Sequence, residues 1–149
     1  CITNNYTSII QNIEKYGQKI CCLIINSNII TNFNDQYGLA LQKLANNYNF
    51  LLINDIKISN ITQLNLNILK WCNFITIFHF EDYTLLNSNI NYLAYNDISN
   101  INNINNINIV GHITNNYYYS NILNFSKPYK NIENITNYNF DIIVINSFI

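Results

Sequence analysis

The chain has no arginine, no methionine, a single proline (Pro128) and three glycines, and charged side chains make up only 10% of its 149 residues. Each shortage excludes something. Without arginine there is no planar guanidinium to grip a phosphate or carboxylate through two parallel hydrogen bonds. Gly17, Gly38 and Gly111 stand alone, so no glycine-rich loop is available to cradle phosphates. Seven lysines against eight acids, a formal net charge of −1, build no basic face and argue against direct nucleic-acid contact. The longest apolar runs reach only five or six residues, too few for a membrane-spanning helix, and residues 1–10 carry no signal-peptide pattern.

Cysteine is present but forms no Cys-x-x-Cys pair. Cys21 and Cys22 are adjacent in an apolar stretch expected to be a strand, where they point to opposite faces and cannot hold one metal ion together. With Cys1 and Cys72 they read as buried free thiols of an intracellular, reducing compartment, the cytoplasm first among them. No metal or cofactor is expected.

What the chain has in excess is Asn and Ile, together well over a third of it. Codon drift in an AT-rich genome accounts for this bias, with Asn filling surface positions and Ile serving as the general core residue. Residues 98–109, an Ile-Asn-Asn repeat, read as a low-complexity linker inside a single domain spanning residues 1–149. Because the chain begins at Cys1 and lacks Met, it reads as a processed product or a fragment. A hydrophobic content of 49% suffices for a sizeable core.

Short continuous apolar runs at residues 20–25, 50–55, 74–79, 107–113 and 141–145 suit parallel strands covered on both faces. Helical spacing appears between them. Residues 8–16 place Ile9, Ile10 and Ile13 on one face, and residues 35–48 do the same with Tyr37, Leu41, Leu44 and Tyr48. Residues 61–69 and 132–138 follow the pattern more weakly. Alternation of strand and helix gives an α/β fold with a parallel sheet. Residues 1–3 would be the tail of an opening strand, and the region 115–129 has room for one irregular strand. That makes about six strands where a complete (β/α)₈ barrel uses eight and roughly 250 residues, so the expected fold is a reduced TIM-like barrel.

The stretch Tyr48-Asn-Phe-Leu-Leu-Ile-Asn-Asp-Ile-Lys-Ile-Ser-Asn-Ile61 concentrates the chemistry. An apolar strand runs into Asp55, Lys57 and Asn60, and in a barrel of β/α units the carboxyl ends of the strands face one shared bowl. The stretch resembles the Asp-x-Lys-x-x-Asp signature of orotidine 5′-monophosphate decarboxylases of the fungal and animal type. Three further collinear blocks are similar to that family: Tyr16-Gly-Gln-Lys-Ile-Cys-Cys-Leu23 continuing to Ile29-Ile-Thr-Asn-Phe33, then Trp71-Cys-Asn-Phe-Ile-Thr-Ile77, and finally Tyr129-Lys-Asn-Ile-Glu-Asn-Ile135 with Phe140 to Ile149.

The resemblance implies a charged Lys-Asp-Lys-Asp tetrad, the last Asp supplied by the partner subunit of a homodimer. In this chain the first Lys falls on Ile24, Asp55 and Lys57 are kept, and the second Asp falls on Asn60. The ribose-holding acid falls on Asn5. The polar pair after the first Lys falls on Ile25 and Asn26, and the phosphate-binding Gly-Arg-Gly on Asn146, Ser147 and Phe148. Decarboxylation builds carbanion charge that a fixed ammonium must stabilise and then protonate, while carboxylates hold the ammonium in place. One cation, one anion and the phosphate clamp are missing, and phosphate binding is what would organise such a site from a distance.

The expectation is therefore a non-catalytic relative of the decarboxylase serving as a structural or accessory subunit of a larger protein assembly. Asp55 and Lys57 would be its vestigial catalytic residues, Asn60 the substituted one, and Asn5, Asn26 and Ser147 a degenerate substrate site. The alternative is an active or weakly active decarboxylase of pyrimidine synthesis, with Lys57 as proton donor and Asp55 as its partner. A plainer reading makes Asp55 and Lys57 a solvated pair just past a strand. Likewise His79 and His112 read as structural histidines, Glu81 and Asp82 as solvated acids, and Trp71 and the tyrosines as packing groups. The partner-facing surface is expected around Asn60 and Ile61, or within residues 117–128.

Overall fold

In the computed structural model, residues 5–58, 70–78, 89–95, 108–114 and 123–126 are described. They form helices α1 (Tyr6–Tyr16) and α2 (Asp35–Tyr48) and six strands: β1 (Cys22–Ile25), β2 (Leu51–Ile58), β3 (Phe74–Ile77), β4 (Asn91–Tyr95), β5 (Asn108–Thr114) and β6 (Leu123–Ser126). All neighbouring pairs run parallel, in the spatial order β1-β2-β3-β4-β5-β6. Each connection thus steps one strand further in the same direction, and the sheet never reverses. This is an α/β fold with an all-parallel sheet.

Several boundaries follow from single asparagines. Asn5 caps α1 by accepting a hydrogen bond from the Thr7 N–H at 3.0 Å, and Asn34 caps α2 by accepting from the Tyr37 N–H at 3.1 Å. Asn49 ends α2 in the left-handed region, φ 60°, a conformation Asn tolerates better than most residues. Asn54 is wholly buried: its amide oxygen accepts from the Ser27 N–H and its amide nitrogen donates to the Ser27 hydroxyl, tying β2 to the turn after β1. Asn73 accepts from the Leu52 N–H at 2.8 Å just before β3. Asn5, Asn34, Asn49 and Asn73 stand at exposed positions, as expected, but cap helices or bond backbone N–H groups there, and Asn54 departs from the surface altogether.

The helices cover one sheet face. Ile9 and Ile13 of α1 and Leu41 and Ala45 of α2 pack with Leu23, Ile25, Leu52 and Trp71. The side of α1 expected from the spacing is the buried one, with Ile10 partly covered. On α2 the buried line is rotated toward Gly38, Leu41 and Ala45. Trp71 is the cause. Its indole lies so close to Gly38 that a β-carbon there would stand 2.4 Å from two ring atoms, so only glycine fits. Trp71 itself is a core residue, 1% exposed. Fully burying each of Leu52, Ile75, Ile77 and their like contributes about 1.5–3 kcal/mol.

The opposite face carries Ile53, Leu93 and Ile113, each at most 1% exposed, with Ile24, Phe74 and Val110 packed around them. Among the described residues no helical side chain belongs to this cluster.

The strands expected near residues 20–25, 50–55, 74–79 and 107–113 all form, with shifted ends. β2 runs three residues further than expected, and β4 is an additional strand whose short Tyr92-Leu-Ala segment is flanked by Asn91 and Tyr95. β6 occupies the region where one irregular strand was expected. Cys21 is a correction: it precedes β1 and is exposed, whereas Cys22 and Cys72 are half-buried. The expected opening strand, the helices at 61–69 and 132–138, the strand at 141–145 and residues 98–107 of the low-complexity segment lie outside the described residues. No described helix is long and apolar enough to cross a membrane.

Candidate functional site

Parallel strands bring their carboxyl ends to one edge, and at that edge three neighbours contribute polar side chains: Asp55 and Lys57 from β2, Thr76 from β3 and Tyr95 from β4. Asp55, Thr76 and Tyr95 follow the alternation of Ile53, Phe74 and Leu93, which places them on the face away from the helices.

Lys57 departs from that regularity. Asn54 pairs with Ile75 and Ile58 with Ile77, so β2 spends two more residues than β3 over the same length. The surplus is a bulge at residues 55–57, and Lys57 sits in it with φ 51°. A left-handed conformation in a long-chain residue costs roughly 1–2 kcal/mol and persists only where surrounding structure holds it. Thr76 supplies the hold. Its hydroxyl accepts from the Lys57 N–H at 3.0 Å, replacing the ladder bond the bulge breaks, and donates to the Asp55 carboxylate at 2.9 Å. Thr76 is 0% exposed, so water does not stand in for either bond.

Tyr95 completes the cluster. The Lys57 ammonium lies 5.0 Å from its ring centroid, within cation–π range. Burial pushes the Tyr95 hydroxyl's pKa upward, and the Asp55 charge and the hydrogen bond to the Asp55 carboxylate push it further. Phe78 meets the ring edge-on at 6.3 Å and 73°. A half-buried carboxylate thus has the Thr76 hydroxyl as donor, and an exposed ammonium has an aromatic face.

The other sequence candidates separate from this cluster. Ile24 lies level with Ile53 and packs into the apolar cluster two residues below Asp55, leaving no cation on β1 at that level. Asn26, one residue beyond the Ile25–Asn54 pair, bonds the Asn28 N–H at 3.0 Å. Asn5, besides capping α1, lines an open cleft of about 380 Å³ with Tyr6, Thr31, Asn32 and Tyr37. Both asparagines therefore have local backbone roles, and no bond joins either to Asp55 among those of the described residues. Asn60, Ser147, His79, Glu81, Asp82 and residues 117–122 fall outside the described residues. His112 lies in β5, its backbone beside Ala94 and Asn124.

Sequence reasoning missed Thr76 and Tyr95. Thr76 lay inside the expected strand at residues 74–79 without being singled out, and a threonine inside a buried strand is the signal that would have found it. Tyr95 belonged to a strand the apolar pattern did not reveal. Asp55 and Lys57 stand at the carboxyl end of their strand as expected; the plainer reading of a solvated pair just past the strand is corrected, since both lie inside β2, at its bulge. Among the described residues no three His, Cys, Asp or Glu side chains gather as a metal site.

The buried thiols beside this sheet give a pH test. Burial pushes the pKa of Cys22 up to about 12, with a smaller push from Cys21, and burial pushes that of Cys72 up to about 12 against two backbone hydrogen bonds. Tyr95 is raised likewise. All three hold their protons more firmly when folded, so their contribution is full below the unfolded thiol value of roughly 8.5 and is lost as pH rises toward the folded ones. The urea midpoint should fall steadily above about pH 9. A midpoint constant to about pH 12 would contradict this burial.

No family model matches the chain, and neither does any curated protein.

Proposed function

We propose that this chain is a decarboxylase-like barrel scaffold without turnover, serving as a structural or accessory subunit of a larger protein assembly. The reading rests on the four blocks that resemble orotidine 5′-monophosphate decarboxylases and on what has become of the site residues. Ile24 carries it. Where the family resemblance asks for an ammonium beside Asp55, β1 presents an aliphatic side chain packed with Ile53 and its neighbours. Asp55 and Lys57 remain, but Thr76 and Tyr95 already engage them. A lysine that protonates a carbanion needs its ammonium free at the substrate carbon and held by preorganised carboxylates.

Two features favour a barrel-type wall over a doubly wound sheet. The strand order advances in one direction throughout, whereas a doubly wound sheet reverses at a switch point. The face opposite the helices is apolar and buried, as a barrel interior is. A protein partner is favoured over a nucleic acid by the same charge balance that removes a basic face. A homodimer of the family's kind is the simplest first partner.

Uridine monophosphate tests the site directly. A ligand that binds the folded state raises its melting temperature by mass action. Millimolar uridine monophosphate should leave the melting temperature unchanged. A saturable rise would replace the scaffold reading with a nucleotide-binding one.

A further inference from the structure

Asp55, Lys57, Thr76 and Tyr95 come from three adjacent strands, and the Thr76 hydroxyl and the Tyr95 ring each meet another member of the set. We propose that Tyr95 closes the strand-end pair from within: its ring takes the Lys57 ammonium across β3 while Thr76 engages the Asp55 carboxylate, making the four residues an internal clasp across β2, β3 and β4 that holds the cation away from small anionic ligands. This rests on the reading of the strand ends as a site without turnover, and names what occupies the site instead of a substrate.

The geometry carries the proposal in three steps. The bulge at 55–57 turns Lys57 out of the regular alternation, and its left-handed backbone aims the side chain across β3 toward β4 rather than along its own strand. Phe78, edge-on to Tyr95, fixes the ring that receives the ammonium. Thr76 bonds both the Lys57 backbone and the Asp55 side chain, so one buried hydroxyl sets the backbone that aims the cation and holds the carboxylate beside it. A hydrogen bond to a charged group outweighs an exposed cation–π contact. The Thr76 hydrogen bonds therefore anchor the clasp, and the Tyr95 ring decides where the ammonium rests. No other acid or base among the described residues is bonded to this set.

Reductive ¹³C-dimethylation keeps the positive charge of the lysines and gives each a resolved methyl resonance, assigned for Lys57 with Lys57→Arg. In the full chain, the Lys57 signal should lie upfield of the other lysines through the Tyr95 ring current. It should stay there in Tyr95→Phe, which keeps the ring, and return to the common position in Tyr95→Leu. Millimolar inorganic phosphate should leave the signal in place in the unsubstituted chain. Tyr95→Phe keeps the test informative if Tyr95→Leu fails to fold. A Lys57 signal at the common lysine position, or one that phosphate moves saturably, would overturn the clasp. Turnover of orotidine monophosphate by the unsubstituted chain would instead sink the scaffold reading and leave the measured ring contact standing.

Discussion

Replacing Thr76 by valine should destabilise the fold by about 1–3 kcal/mol, although the two side chains have nearly the same shape. The substitution keeps the apolar volume of a residue that is 0% exposed, so no cavity forms. What disappears is one hydroxyl with two duties, accepting from the Lys57 N–H and donating to Asp55. A donor left without a partner costs more than the bond itself was worth, because its desolvation is no longer offset. The strained Lys57 backbone, φ 51°, also loses its restraint, and the bulge can relax toward regular pairing. Thr76→Ser, which retains the hydroxyl, should recover most of the loss. Urea unfolding of both variants decides the matter. Equal stability of Thr76→Val and the unsubstituted chain would mean that the bulge is held by something other than Thr76.

The same comparison shows what was legible in the sequence. Both described helices were, because Ile9 and Ile13, and Tyr37, Leu41, Leu44 and Tyr48, recur at helical spacing, although on α2 the buried line turned out rotated toward Ala45. The strands at residues 20–25, 50–55, 74–79 and 107–113 were legible as clusters of Ile, Leu and Phe. β4 was not, since its Tyr-Leu-Ala-Tyr segment carries no Ile in a chain rich in Asn and Tyr. The excess of Asn also hid function of a structural kind. Codon drift explains why Asn is common, but not why Asn54 is buried against Ser27 or why Asn5 and Asn34 sit at helix starts. The caps are local bonds to residues two and three further on, but the Asn54 role depends on Ser27, 27 residues away, which no local pattern encodes.

The candidate site was legible by half. Asp55 and Lys57 stand out as charges following an apolar run, and the fold brings them to the strand ends. The bulge did not announce itself. Bulges are commonly marked by glycine, and here a lysine takes the left-handed position. Its partners on β3 and β4, Thr76 and Tyr95, lie 19 and 38 residues away in the chain, joined only by the parallel register. The aliphatic residue at position 24, by contrast, was readable from the sequence alone, and its apolar surroundings give it a physical context.

Decarboxylation of orotidine monophosphate, followed as release of carbon dioxide by the purified chain, tests the central claim most directly. Removing a single preorganised electrostatic group from an active site commonly costs 10²–10³-fold in rate. On the proposed relationship to the decarboxylases, Ile24 stands where a cation would be, Asn60 where an anion would be and Asn146-Ser147-Phe148 where a phosphate clamp would be, so the combined loss should exceed what any assay resolves above the uncatalysed background. Losses within one catalytic unit do not add simply, yet each alone is large. The expected result is no turnover, identical in the unsubstituted chain and in Lys57→Ala. Turnover that is present in the unsubstituted chain and vanishes in Lys57→Ala would contradict the account and make this an active decarboxylase with Lys57 as its proton donor.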